Sequence, residues 1–211
     1  MKKTYLHPLT LRIWHWMNAL IVITLMLTGI QLRIEGIAAL QPKSTFLLIH
    51  RYAGWAMAAW FVFWLGYSLT TGHLKRQYGI RRQDLKGTWR QANFYLFSIF
   101  RGEENPFQAS PDEKFNPLQK FAYGAIMGVF TPVLVVTGVL LADNLIFRKY
   151  VLLWNIAGAL DAIHVLGAYV LALYLIVHIY MATLGRTAYS HIKAMIVGYE
   201  EEPDEPDGAD T

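Results

Sequence analysis

The fold is decided by residues 158–184, GALDAIHVLGAYVLALYLIVHIYMATL, a run that is apolar over the length of a membrane span. A helix needs about 20 residues to cross a hydrocarbon core of about 30 Å. Two histidines interrupt this run, His164 and His178, with a spacing of fourteen residues. Because each helical residue turns its side chain by about 100°, the two imidazoles share one face and lie about 21 Å apart along the axis. One helix therefore presents an imidazole near each surface of a membrane.

Three further stretches, near residues 11–30, 46–69 and 118–142, are long and apolar enough to be spans. The 211-residue chain is 55% hydrophobic and only 16% charged, which indicates a bilayer rather than water as its solvent. No small-residue cleavage site follows Leu27, so we expect a mature first span rather than a signal peptide. Tryptophans near the span ends support these boundaries, since indole rings favour the water–lipid interface: Trp14, Trp16, Trp55, Trp64 and Trp154. We predict an all-α, integral membrane four-helix bundle.

The distribution of lysine and arginine predicts which side of the membrane each loop faces. Four spans place both termini and residues 70–119 on one side, which carries fourteen of the 19 cations. The opposite side carries the other five: Arg33, Lys43, Arg51, Arg148 and Lys149. Because cytoplasmic loops hold the excess of cations, we expect both termini in the cytoplasm. Cations placed beside apolar spans also argue against nucleic acid as a partner.

The segment between spans two and three is too long for a simple turn. Within it, aromatic residues from Trp89 to Phe100 alternate with Arg90, Gln91 and Arg101. This pattern is typical of a helix that lies in the membrane interface. We therefore predict an additional interfacial helix within residues 70–119.

The C-terminal end of the chain differs from the rest in composition. Seven of the fifteen acidic residues fall in the last twelve positions, together with Pro203 and Pro206. Such a segment has no apolar residues to bury, so we predict an acidic, disordered tail over residues 200–211 behind a membrane domain of residues 1–199. Its simplest role is that of a solubilising terminus.

Histidine is the residue type that could carry metal chemistry here, because the chain has no cysteine. Following the chain direction, His15 of the first span reaches the depth of His178, and His50 of the second span reaches the depth of His164. Two neutral imidazoles from opposing helices ligate a haem iron on both axial sides and leave no open position for substrate. We predict that these two pairs bind two haem b groups. Alternatively, each histidine is an interfacial or hydrogen-bonded packing residue, the interpretation that we prefer for His7, His73 and His191.

Residues beside the histidines suggest how a flat cofactor could fit. Gly54 and Gly167 follow His50 and His164 by about one turn and could make room for a porphyrin, although small-residue helix packing explains them equally well. Arg12 and Arg51 adjoin the ligands in sequence and could bind haem propionates, or they anchor the chain to lipid headgroups.

Asp161 lies three residues before His164 and could orient its imidazole. A favourable charge near a helix N-terminus is the preferred alternative.

A short motif is repeated near the ends of spans one and three, as Leu27-Thr28-Gly29 and Val136-Thr137-Gly138. Similar packing demands on two spans that run in the same direction suffice to explain it.

The chain resembles the di-haem cytochrome b subunits of bacterial respiratory complexes, which include membrane subunits of formate dehydrogenase, nickel–iron hydrogenase and thiosulfate reductase. The resemblance covers most of residues 7–185. It rests on five motifs and one spacing: His7-Pro8-Leu9, the run from Arg12 to Asn18 (RIWHWMN), Thr28-Gly29, His50-Arg51, the run from Phe115 to Lys120 (FNPLQK), and the His164/His178 pair.

This resemblance implies that the four histidines are the haem ligands and that the protein lies in the bacterial inner membrane. It also implies a site for menaquinone or ubiquinone near the inner haem, with contacts from Asn116 and Gln119. Leu118 replaces a glycine that formate dehydrogenase members carry between these two residues. Capping of the third span by Asn116 is an equally good interpretation.

The implied function is electron transfer between quinone and an extracytoplasmic redox subunit, such as a molybdenum enzyme, a hydrogenase, or an iron–sulfur or multihaem protein. In this hypothesis the chain is a subunit of a quinone-linked oxidoreductase complex, and its own status as an enzyme stays open. Two alternatives remain. One is a stand-alone superoxide:quinone oxidoreductase, and the other is a haem-free anchor or assembly subunit.

Overall fold

The computed structural model describes residues 2–34, 42–107, 114–142, 148–185 and 187–202. Four helical segments in these ranges are long and apolar enough to cross a membrane, which confirms the predicted all-α membrane bundle. They are α1 (Leu9–Arg33), α2 (Lys43–Thr70), the third span (Pro117–Leu141) and α8 (Ala157–Ala182). At most 17% of the apolar stretch of each span is buried within the chain. The remaining apolar surface is what lipid would cover.

Proline sets the start of three of these spans. α1 follows Pro8, α2 follows Pro42, and Pro117 is the first residue of the third span. The fixed φ of proline suits a helix start, and its missing N–H costs nothing there because N–H groups of the first turn have no acceptor within the helix. The predicted span boundaries agree with the observed ones to within a few residues.

The third span is not a regular α-helix. It consists of α5 (Pro117–Ala125), a π-helical turn (Ile126–Phe130) and α6 (Thr131–Leu141). Pro132 has no N–H to offer the carbonyl of Gly128, and its ring would collide with that carbonyl in a regular helix. The π-helical turn just before this proline widens the backbone where the conflict arises.

The spans pack as two antiparallel pairs. α1 packs on α2 and α6 packs on α8, with a smaller contact between α2 and α6. Two indoles join α1 to α2 reciprocally, since Trp14 Nε1 donates to the Trp60 carbonyl at 3.3 Å and Trp60 Nε1 donates to the Trp14 carbonyl at 3.0 Å. A short helix, α7 (Arg148–Leu153), precedes α8 at the opposite end of the bundle from the termini.

Residues between the second and third spans form α3 (His73–Tyr78), α4 (Arg82–Leu96) and a 3₁₀ turn (Ser98–Arg101). The predicted helix of this segment is therefore present as α4. One of its faces is exposed, with Trp89 79% exposed, while Phe94 on another face is buried. On the buried side, Asp84 of α4 and Lys120 of α5 form an ion pair at 3.5 Å with side chains only 3% and 2% exposed. This buried pair joins α4 to the third span.

A small sheet brings the chain ends together, an element that the sequence analysis did not predict. Strand β1 (Lys2–Tyr5) pairs antiparallel with β2 (Tyr199–Glu202), with Tyr5 opposite Tyr199. Residues 200–202 were assigned above to the disordered tail, but they belong to this strand. The rest of the proposed tail, residues 203–211, lies outside the described residues.

The last helix, α9 (Ser190–Val197), ends against the N-terminal segment. Gly198 follows it at φ 93°, a left-handed conformation that suits glycine at the end of a helix. The Gly198 carbonyl accepts the backbone N–H groups of Leu6 and His7 at 3.0 and 3.1 Å. Trp16 Nε1 of α1 donates to the Met195 carbonyl at 3.2 Å. We call this arrangement of β1, β2 and α9 the terminal clasp.

Candidate functional site

The four predicted histidines meet in two pairs, in the combination expected from their depths. At the end of the bundle that carries the termini, the ring centroids of His15 on α1 and His178 on α8 lie 6.1 Å apart. Toward the other end, those of His50 on α2 and His164 on α8 lie 6.3 Å apart. We call these the inner pair and the outer pair. Since both use α8, they are about 21 Å apart along that helix.

In the outer pair, a threonine determines which nitrogen of His50 carries the proton. The Thr28 hydroxyl lies 2.9 Å from His50 Nδ1 and 2.7 Å from the Thr24 carbonyl. A carbonyl oxygen can only accept a hydrogen bond, and two oxygens 2.7 Å apart without a proton between them would repel each other. The Thr28 hydroxyl therefore donates its proton to the Thr24 carbonyl. Nδ1 of His50 therefore carries the ring proton and donates a hydrogen bond to Thr28 Oγ1. The lone pair of Nε2 is then free to bind a metal.

The same arrangement recurs at His164. The Thr137 hydroxyl lies 2.8 Å from His164 Nδ1 and donates to the Val133 carbonyl at 2.7 Å. By the same argument His164 donates from Nδ1 and keeps the lone pair of Nε2 free. Both outer imidazoles are therefore held in the tautomer that a metal ligand needs.

A glycine follows each of these threonines and lies against the neighbouring ring. A Cβ atom on Gly29 would stand 3.4 Å from His50 Cε1, and one on Gly138 would stand 3.2 Å from His164 Cε1. The repeated Thr-Gly dipeptide thus places a hydroxyl and a gap beside each outer imidazole. The repeat in the sequence predicted similar packing of the two spans, but it did not predict Thr28 and Thr137 as positioning residues.

Aromatic rings surround the inner pair instead. His178 stacks on Tyr174 with centroids 5.6 Å apart, and Tyr123 approaches its edge at 6.1 Å. His15 meets Trp16 edge-on at 5.2 Å. Within the part of the chain that the structure describes, the buried Nδ1 atoms of His15 and His178 have no hydrogen-bond partner. In contrast to the outer pair, no neighbouring side chain among the described residues orients the inner imidazoles through Nδ1.

The number of donors at each pair identifies the kind of metal group that fits. Among the described residues, His, Asp and Glu side chains form no group of three or more that could hold a metal ion. A bare ion such as zinc takes three or four protein ligands. Two imidazoles suffice for an iron that brings its equatorial ligands with it, as haem iron does. Ring centroids about 6 Å apart suit two imidazoles that bind the same metal ion from opposite sides, each through a bond of about 2 Å.

The residues predicted beside the histidines have mixed outcomes. A Cβ atom on Gly54 would meet nothing within 4 Å, and its role in making room for a porphyrin remains a prediction. A Cβ atom on Gly167 would lie 3.1 Å from Leu134, so this glycine serves helix packing. Asp161 pairs with Arg33 at 3.0 Å. Since Thr137 contacts Nδ1 of His164, orientation of this ring by Asp161 remains a prediction.

The predicted propionate contacts remain predictions. Arg12 Nη1 donates to the Ile196 carbonyl and so takes part in the terminal clasp. Its buried Nε has no hydrogen-bond partner among the described residues. Arg51 is half-buried next to His50.

Asn116 and Gln119, the predicted quinone contacts, form a capping box at the start of α5. Asn116 Oδ1 accepts a hydrogen bond from the backbone N–H of Gln119 at 2.8 Å. In return, Gln119 Oε1 accepts one from the backbone N–H of Asn116 at 3.1 Å. Asn116 Nδ2 donates to the Tyr95 hydroxyl at 3.1 Å, and Asn116 is only 2% exposed. The capping interpretation of Asn116 is confirmed. A quinone contact remains a prediction, for which Gln119 Nε2 is the donor outside the capping box.

Comparisons with known proteins agree with this geometry. Residues 6–198 match the family described as prokaryotic cytochrome b561. The chain is also similar to an Escherichia coli (strain K12) protein named "Putative cytochrome YdhU". The two are 34% identical over 207 residues, which cover 94% of this chain and 75% of the relative.

Proposed function

Because this chain belongs to the prokaryotic cytochrome b561 family and is a multi-pass membrane cytochrome b of electron transfer, we propose that it holds two haem b groups and links a quinone to an extracytoplasmic redox subunit. The observation that carries the proposal is the pairing of four histidines at two depths of one bundle. Either pair alone would reach only one side of the membrane.

The chain's own residues hold the cofactors in this proposal. His15 and His178 would hold one haem at the inner pair, and His50 and His164 would hold the other at the outer pair. When bound between two imidazoles, haem supplies reversible one-electron chemistry at an iron that has no open position for substrate. Thr28 and Thr137 would keep the outer imidazoles in the ligating tautomer and raise their basicity, because each hydroxyl oxygen accepts a hydrogen bond from Nδ1–H.

The quinone site of this proposal lies beside the inner pair. Gln119 and Tyr123 follow one another by about one turn on α5, and the ring of Tyr123 lies 6.1 Å from that of His178. The Gln119 amide can donate a hydrogen bond to a quinone carbonyl, menaquinone and ubiquinone being the candidate substrates. The half-buried aromatic rings of Tyr123 and Tyr174 beside His178 would reduce the access of water to this site.

The redox partner of this proposal docks at the end of the bundle that carries the outer pair. We place that end outside the bacterial inner membrane and both termini in the cytoplasm, because fourteen of the 19 cations lie on the side of the termini. The partner would be a molybdenum enzyme, a hydrogenase, or an iron–sulfur or multihaem subunit.

Haem analysis of the purified chain tests the cofactor part of the proposal. We expect a b-type absorption spectrum, two haems per polypeptide and two resolved steps in a redox titration. One haem or none would overturn the two-haem proposal. Gentle detergent extraction from the native host tests the partner, which should co-purify with the chain. Superoxide-dependent quinone reduction by the isolated chain, without a partner, would instead support a stand-alone enzyme.

A further inference from the structure

A cavity of about 240 Å³ lies at the end of the bundle that carries the termini, apart from the histidine pairs. It forms where the N-terminal segment meets the end of α2 and the helix α3. The residues that surround it and bear on its chemistry are Tyr5, Tyr67, His73, Arg76, Gln77 and Lys114. Since Tyr67 belongs to the last turn of the second span, the cavity opens at the surface of the membrane.

Among the described residues, the lining of this cavity carries two cationic side chains, the exposed Arg76 and the partly buried Lys114. None of the described residues around it is acidic. Arg76 donates one Nη2 bond to the Thr71 carbonyl at 2.9 Å and contacts no carboxylate among the described residues. The backbone N–H of Lys114 donates to Gln77 Oε1 at 3.2 Å, which holds this second cation against α3. Two cations thus share the cavity.

Arg76 disfavours the charge of Lys114, and both cations disfavour a charge on His73. Burial and the nearby Arg76 lower the pKa of Lys114. Burial, with Lys114 and Arg76, lowers the pKa of His73 to about 4, so this ring is neutral near pH 7. Glu200 lies near enough to act on His7, but it is already paired with His191 at 3.4 Å. A negative ligand would relieve the repulsion that remains.

We propose that this cavity is a binding site for an oxyanion, namely a phosphate group held by Arg76 and Lys114. Arginine presents several donors in a planar fork that matches phosphate oxygens, and lysine adds a second positive charge. The neutral imidazole of His73 and the hydroxyl groups of Tyr5 and Tyr67 add polar groups to the lining. The phosphate could come from the headgroup of an anionic phospholipid at the membrane surface or from a soluble phosphate compound.

Calorimetric titration of the haem-loaded full chain tests the site. The protein would be reconstituted in nanodiscs of phosphatidylcholine and titrated with inorganic phosphate at constant ionic strength, with chloride as the reference anion. Saturable binding is expected, and both Lys114→Gln and Arg76→Gln should weaken it by about tenfold, the usual effect of losing one charge-assisted bond. Arg76→Lys, which keeps the charge, should weaken it less. Lys86→Gln, at an exposed position on α4 outside the cavity, is the matched control and should bind as the unaltered chain does.

A second arm identifies the source of the phosphate. Native mass spectrometry would count phosphatidylglycerol and phosphatidylcholine molecules retained by the same variants. Selective retention of phosphatidylglycerol that Lys114→Gln abolishes supports a lipid headgroup, and saturable binding of free phosphate without such retention supports a soluble compound. The proposal is overturned if neither ligand binds, or if binding is equal in Lys114→Gln and Lys86→Gln. An unchanged haem spectrum in each variant shows that it has folded.

Discussion

The hydroxyl of Thr137 lies 2.8 Å from Nδ1 of His164, across the contact between the third span and α8. Thr28 stands in the same relation to His50 at 2.9 Å. Each threonine comes from the helix that packs beside the histidine, so the orientation of the outer imidazoles depends on the packing of both helix pairs. This dependence leads to the first prediction.

Replacing Thr137 by valine should weaken haem binding at the outer pair. Loss of such a hydrogen bond to a ligating histidine lowers metal affinity by roughly 10- to 100-fold. Haem titration of the apoprotein, followed by absorbance, measures the change, and the inner pair should be unaffected. Thr24→Val is the control, because Thr24 also donates to its own helix, at 2.8 Å to the Leu20 carbonyl, but contacts no histidine in the described structure. Equal affinities in the two variants would show that Thr137 has no positioning role.

Replacing His178 by alanine should remove the inner haem and leave the outer one. The outer pair has its own ligands, and its threonines lie on α1 and the third span. Haem content should fall from two per chain to one, and redox titration should show a single step. His191→Ala, outside the spans, should retain both haems. Loss of both haems from His178→Ala would indicate that the bundle needs its cofactors to fold.

Replacing Gly138 by alanine should disturb the outer pair by steric crowding. A Cβ atom there would stand 3.2 Å from His164 Cε1, closer than ordinary van der Waals contact. The imidazole must then shift, and we expect a lower haem content or a changed redox potential at the outer pair. Gly66→Ala is the matched control, since a Cβ atom there meets nothing within 4 Å. A Gly138→Ala spectrum and potential identical to those of Gly66→Ala would contradict this expectation.

Breaking the buried ion pair of Asp84 and Lys120 should destabilise the protein strongly. Lys120→Met leaves a buried carboxylate without its partner, which typically costs about 3 to 5 kcal/mol. Thermal unfolding in detergent, followed by circular dichroism, should show a lower melting temperature. The double variant Asp84→Asn/Lys120→Met removes both charges, keeps an oxygen that can accept the Arg81 backbone N–H, and should recover much of this loss. If the double variant is as unstable as Lys120→Met, the cost does not arise from the unpaired carboxylate.

The pair of His191 and Glu200 should stabilise the terminal clasp most in mildly acidic solution. A hydrogen bond with Glu200 raises the pKa of His191 above its usual 6.5, and the bond from His191 lowers the pKa of Glu200 below its usual 4.5. The stabilisation of the terminal clasp by His191 is fully present below pH 6.5 and is lost as the pH rises through the pKa of His191 in the folded protein. The stabilisation by Glu200 is fully present above pH 4.5 and is lost as the pH falls through the pKa of Glu200 in the folded protein. Both are therefore present between about pH 4.5 and 6.5.

Hydrogen exchange of the β1 and β2 amides measures this dependence. After correction for the intrinsic rate, protection should be greater at pH 6 than at pH 8. His191→Gln should remove most of the difference, because glutamine does not titrate. A pH dependence that survives in His191→Gln would assign the effect to another group.

Local sequence features predicted some of the contacts near the site and missed others. The capping box of Asn116 and Gln119 follows from a spacing of three residues before a helix, so the sequence was enough to propose Asn116 as a cap. The strand pairing of Tyr5 with Tyr199 joins opposite ends of the chain through main-chain groups, and no local pattern signals it. The pairing of Asp161 with Arg33 likewise joins residues that are remote in sequence.

Hydropathy and helical periodicity alone determined the four spans and the combination in which the histidines pair. Span length, the fourteen-residue spacing of His164 and His178 and the alternating direction of the spans suffice for both. Only the tertiary structure decided that Thr28 and Thr137 orient the outer imidazoles, and that Arg76 and Lys114 share a cavity. The physical reason is that these spans are apolar on nearly all sides, so their sequences leave the rotation of each helix about its axis undefined. Packing between helices sets that rotation and thereby selects the side chains that meet.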